Sequence, residues 1–198
     1  MLKSFISAAI FLKILFLSTE TSGAVNDSTA IYDQPVLLTS AGQSADVLIL
    51  KGLCMRAGID FKYSSRATAD SLGEYRTLLL VAGGSSKGLG AARIDAAAEA
   101  VRVKALEKAA QKSKIPIVTL HVGGDARRGA LSDPFNRLAA EVSELVVVVS
   151  SGDKDGFFKK IAEKNEARYI SVDKQIELVG VLKEMFGIKE APPEESPE

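Results

Sequence analysis

Three stretches of this chain are apolar almost without interruption: "TLLLVA" at 77–82, "IPIVTLH" at 115–121 and "LVVVVS" at 145–150. A strand with one wet face alternates polar and apolar residues. An unbroken run between turn residues therefore marks a strand covered on both sides, as in a parallel sheet. Shorter runs at 36–38, 61–63 and 169–171 read as further strands. Parallel neighbours need a crossover between them, and the intervening sequence supplies helical patterns.

Those patterns are apolar stripes at helical spacing. Val47, Leu50, Leu53 and Ala57 form the first. Ile94, Ala97, Ala98, Val101, Ala105 and Ala109 form the second, with Glu99, Arg102, Lys104 and Lys108 mostly away from it. Phe135, Leu138, Ala139 and Val142 make a third, and Phe157, Phe158, Ile161 and Ala162 a fourth. Ile176, Val179, Leu182 and Phe186 make the last. Each reads as sheet-packing surface. Ser132-Asp133-Pro134 sets a cap, an acid and a proline ahead of one helix, and Asp173 is placed to cap the final one. Residues 67–72 are only weakly helical. Regular alternation with no repeat and no linker predicts one α/β domain over 34–187, a doubly wound three-layer sandwich of Rossmann-like or flavodoxin-like kind with a mostly parallel sheet. The expected strand order is 2-1-3-4-5 with a sixth strand at the edge.

In such a sheet, loops leaving the C-terminal ends of the strands emerge on one edge, where ligands bind. Sorted by that rule, the sequence is one-sided. The loops on that edge read "TSAGQSAD", with Ser40, Gln43 and Ser44, then "GGSSKGLGAA", "GGDARRGALSD" and "SGDKDG". Loops on the opposite edge, "KSK" and "KNEA", are short and solvating.

The stretch "VAGGSSKGLGAARID" (81–95) carries glycines at 84, 88 and 90, a spacing that resembles the nucleotide loop of short-chain dehydrogenases. Two strands precede it instead of one. The catalytic tyrosine-x-x-x-lysine of those enzymes is missing, since Tyr63, Tyr75 and Tyr169 are followed at that spacing by Ala67, Leu79 and Asp173. The P-loop pattern fails too, because Lys87 precedes its glycine. No cofactor is implied. What remains is a backbone device: Gly84, Gly88 and Gly90 clear the start of a helix, whose first amides offer an anion the positive end of the dipole. Ser85 and Ser86 add hydrogen bonds there, and Lys87 adds charge.

The fourth loop holds His121, Arg127, Arg128, Ser132 and Asp133. Paired arginines match carboxylate or phosphate in a bidentate fashion, or else pair with Asp125, Asp133 or Asp153 to fix the loops. His121, the sole histidine, suits general acid–base work at a strand end, or else donates to a loop carbonyl. One histidine and one distant cysteine make no zinc set, so no metal site is expected. Asp153 and Asp155 read as a solvated turn. Ser85 or Ser86, His121 and an aspartate make a nucleophilic triad on paper only, without the Gly-x-Ser-x-Gly elbow.

With 25 basic and 25 acidic residues, the chain lacks the basic excess that nucleic acid demands. Cys54 cannot form an internal disulfide and sits on the first helical stripe, as a buried thiol does. At the N-terminus, Lys3, an apolar run from Phe5 to Phe16 and the small residues Ser22-Gly23-Ala24 predict a signal peptide over 1–24, cleaved after Ala24. The expected product is periplasmic or extracellular, touching a membrane only through that segment if it is retained. Residues 25–33 form a short lead-in. Residues 188–198, ending "EAPPEESPE", are acidic, proline-rich and expected to be disordered.

Together, "GGSSKGLGAA", "HVGGDARRGALSD" and "VVSSGDKDGFF" resemble a family of exported bacterial α/β proteins known as a domain of unknown function, over roughly residues 34–186. The resemblance implies that the three loops act as a unit and implies no reaction. The leading expectation is an exported protein that binds a small anionic solute at the C-terminal sheet edge. A hydrolase or transferase using His121 is the alternative. Two further readings are an envelope protein that binds another protein, such as a transport or receptor partner, and a relative of the NAD(P)-type dehydrogenases.

Overall fold

Among the described residues, the alternation of buried runs and helices folds as six strands in one sheet. A computed structural model describes residues 31–189. The strands are β1 (Val36–Ala41), β2 (Phe61–Tyr63), β3 (Thr77–Ala82), β4 (Ile117–His121), β5 (Leu145–Val149) and β6 (Arg168–Val172). Every pairing is parallel, in the order β2-β1-β3-β4-β5-β6, which is the expected order.

Successive side chains of a strand point to opposite faces, and the helices divide accordingly. Leu38, Leu79, Val81, Leu120 and Val147 meet α1 (Asp46–Ala57) and α6 (Leu178–Met185) through Leu50, Leu53, Leu178 and Leu182. Leu37, Leu78, Leu80 and Ile117 meet α3 (Ala96–Lys112) and α4 (Asp133–Glu141) through Val103, Leu106, Ala110 and Ala139. Val146 and Val148 pack on Phe158, Ile161 and Ala162 of α5 (Phe157–Lys164). The result is a three-layer sandwich. Cys54 is buried in the first layer, and burial pushes its thiol up to about 12.

Several local expectations are corrected. Strand β1 runs on to Ala41, paired with β3 as far as Ala82, so Thr39 and Ser40 lie inside the sheet and are fully buried. Their short hydroxyl side chains imitate a loop in the sequence. On α3 the buried face is Glu99, Val103, Leu106, Glu107 and Ala110, while Ala97, Ala98, Val101 and Ala105 are exposed. Alanine contributes little apolar area, so Val103 and Leu106 set the orientation despite two carboxylates on their side. Asp173 does not cap α6: its carboxylate accepts from the Ser150 hydroxyl at 3.0 Å, and a single 3-10 turn over Gln175–Glu177 leads into the helix. Ile176 stays exposed.

The expected signal peptide (1–24), most of the lead-in and the acidic tail beyond 189 lie outside the described residues. Among the described helices, none is long and apolar enough to cross a membrane.

Candidate functional site

Strands β1 and β3 are neighbours, but the chain leaves β1 toward β2 on one side and β3 toward β4 on the other. A crevice opens above such a switch point. The two loops that rim it are bound together. Gln43 and Gly84 form an antiparallel bridge, the Gly83 amide donates to the Ala41 carbonyl at 3.0 Å, and the Ser85 amide to that of Gly42 at 2.9 Å.

The glycine spacing has its cause here. A methyl group on Gly88 would overlap the Gln43 carbonyl oxygen, and one on Gly84 would sit 2.6 Å from that of Leu131. Both glycines let backbones touch, so α2 (Ser86–Ala91) lies directly on the β1 loop. The expected open amide cradle is corrected by the same contacts. The Gly84 amide donates to Ser132 Oγ and the Gly88 amide to Ser85 Oγ, each at 3.1 Å. Ser132, predicted as a helix cap, makes no cap bond to α4 and holds the glycine loop instead. Ser86 and Gly90 are exposed and do not line the crevice.

The crevice holds about 790 Å³. Ser40, Gln43, Ser44, Ser85, Lys87, Gly88 and Arg127 line it, as do Tyr63, Ser65, Arg66 and Arg93, with Ala45, Val47, Leu48, Ala91 and Ala92 as its apolar part. Among the described residues, no aspartate or glutamate lines it. Arg127 is balanced by Asp46 at 2.8 Å and also donates to Ser44 Oγ at 2.8 Å. Arg66, Lys87 and Arg93 enter no ion pair among the described residues.

Beneath the crevice lies an ion pair of two residues, Glu99 and Arg102, expected mostly away from the packing stripe of α3. Glu99 is fully buried. Its Oε1 accepts from the Gly42 amide at 3.0 Å, Gln43 Nε2 at 3.1 Å and an Arg102 nitrogen at 2.7 Å. Arg102 in turn donates to the carbonyls of Ala67 at 2.6 Å and Ser40 at 2.5 Å. Gln43 Nε2 reaches the Ser65 carbonyl at 2.9 Å. Helix α3 thus fixes the loops after β1 and β2 in one position.

The remaining predicted residues lie elsewhere. Arg128 turns away from Arg127, pairing with Asp133 at 2.8 Å and Asp155 at 2.9 Å and stacking on Phe157 at 4.4 Å. Its guanidinium holds the Asp155 carboxyl down at about 2. Arg128 and Asp133 therefore take the loop-fixing role, not the ligand role. Asp153 accepts from the Phe158 amide at 2.7 Å and the Tyr169 hydroxyl at 2.7 Å.

His121 is fully buried against Phe158, with its ring nitrogens each 3.2 Å from the Ala82 and Gly124 carbonyl oxygens. Burial pulls its pKa down. The expectation of acid–base work is corrected, because a proton donor must touch its substrate and this ring is sealed below Gly152.

Arg66, Arg93, Tyr63 and Ser65 were missed. The loop after the second strand, "SSRATAD", obeys the same edge rule and would have yielded Ser65 and Arg66.

No curated protein matches the chain. Among solved structures, AlinE4, an SGNH-hydrolase family esterase, is 14% identical over 80% of this chain and 84% of that one, with a TM-score of 0.30. A flavodoxin variant from Pseudomonas aeruginosa is 11% identical over 75% and 91%, with a TM-score of 0.31. Likeness at this level carries nothing toward a function. The model of the Domain of unknown function (DUF6305) matches residues 33–186, the whole sandwich with its crevice, and the chain belongs to that family.

Proposed function

We propose that the protein is an exported binding protein for a small anionic solute, held in the crevice between the β1, β2 and β3 loops. The observation that carries this reading is the charge of the lining: among the described residues Arg66, Lys87 and Arg93 enter no ion pair, and no carboxylate lines the crevice with them. Like charges gathered over low-dielectric walls focus a positive field and raise the local concentration of anions. A volume of this size suits a small organic ligand. The near-zero total charge sets the patch apart from a nucleic-acid surface, whose basic excess spreads over a whole face. Export rests on the N-terminal sequence, and an envelope transporter or receptor is the fitting protein partner.

A ligand that binds only the folded state raises the melting temperature as its concentration rises. Thermal unfolding against a panel of carboxylates and phosphates at constant ionic strength is the test. At least one anion is expected to stabilise the wild type, with the shift lost in Lys87→Ala/Arg93→Ala. No shift with any anion, or an equal shift in the variant, contradicts the reading.

A further inference from the structure

The crevice offers hydrogen-bond donors far in excess of acceptors, and that imbalance identifies its ligand more closely. Ser44 Oγ already accepts from the Asp46 amide at 3.1 Å and from Arg127 Nε at 2.8 Å, which leaves only its O–H to give. Ser85 Oγ accepts from the Gly88 amide, so its O–H is likewise available. Ser40 lines the crevice, is fully buried, and its Oγ has no hydrogen-bond partner among the described residues. Gln43 spends its amide nitrogen on Ser65 and Glu99. With Arg66, Lys87 and Arg93, six side chains present donors to one space.

We infer that the crevice binds a phosphomonoester bearing an apolar or aromatic substituent. This rests on the anion reading and deepens it. A carboxylate has two oxygens and one charge to set against this set of donors. A phosphoryl group has three terminal acceptor oxygens and close to two charges at neutral pH. The apolar part of the lining points to the substituent: Val47, Leu48 and Tyr63 stand on the side of α1 and β2, and Leu48 is 54% exposed. Inorganic phosphate would leave that surface wet. An attached ring or alkyl chain covers it.

Isothermal titration with phenyl phosphate, inorganic phosphate and benzoate at one ionic strength tests this on wild type, Ser40→Ala and Leu48→Ser. Phenyl phosphate is expected to bind at least tenfold tighter than either of the others. Leu48→Ser should narrow the gap to inorganic phosphate several-fold while leaving inorganic phosphate unchanged. Ser40→Ala should weaken both phosphates without lowering the melting temperature. Benzoate binding as tightly as phenyl phosphate, or inorganic phosphate binding as tightly, overturns the inference and leaves the anion reading standing. No binding by any of the three overturns both.

Discussion

Glu99→Ala is expected to cost the fold about 3–5 kcal/mol, the usual cost of removing one partner from a buried ion pair. The carboxylate is fully buried and accepts from Gly42, Gln43 and Arg102. Removing it strands the Arg102 guanidinium, whose side chain is only 11% exposed, and leaves the Gly42 amide unsatisfied. The double change Glu99→Met/Arg102→Leu removes both charges together and should recover most of that loss, as apolar replacement of a buried pair often does. Urea unfolding of the single and double variants checks the prediction. A cost below about 1 kcal/mol for Glu99→Ala would mean that the pair is effectively solvated. The double variant also separates stability from function: with Gln43 and Ser65 released, anion affinity should fall even where the fold is regained.

Glu107→Gln should do the opposite and stabilise the protein, increasingly so at high pH. Glu107 is 3% exposed, and one carboxylate oxygen has no hydrogen-bond partner among the described residues. Burial raises its pKa from 4.5 to about 8, opposed by Lys104 and Arg102 and aided by Glu141. A carboxyl whose pKa is raised by folding binds its proton more tightly in the folded state. Its cost is therefore absent below about pH 4.5, grows by about 1.4 kcal/mol per pH unit above that, and levels off above about pH 8. By that slope the folded state loses on the order of 3 kcal/mol at pH 7, which the glutamine does not lose. For a domain of this length that is a rise in melting temperature of roughly 6–12 °C. Thermal unfolding from pH 4.5 to 9 should show two curves that converge at the acid end and diverge toward pH 8. Parallel curves would show that Glu107 does not titrate in this range.

The fold was legible because its central strands are covered on both faces. Unbroken runs such as "TLLLVA" and "LVVVVS" are too short for a buried helix and are bounded by turn residues, and the crossover rule does the rest. The limits of β1 were not legible, since Thr39 and Ser40 carry loop-like side chains in a buried strand. On α3, alanines at Ala97, Ala98 and Ala105 imitate an apolar face. The real one is set by Val103, Leu106 and a carboxylate whose partners lie 56 and 57 residues away.

Adjacent residues can also part company. Arg127 ends a 3-10 turn facing the crevice, and Arg128 continues in extended conformation toward Asp133 and Asp155. Nothing in the dipeptide distinguishes them. The glycine loop shows the same limit. Its spacing announced close backbone approach, but whether the approaching atoms belong to a phosphate or to Gln43 was a question only tertiary structure could answer.

The most direct test of the anion site is where an anion lands. A backbone amide NMR titration with phenyl phosphate should shift resonances of the crevice loops, among them Ser44, Ser65, Lys87 and Arg93. The Arg128–Asp155 cluster should stay still. Shifts centred on Arg128, Asp133 and Asp155, or scattered over the surface without saturation, would contradict the account.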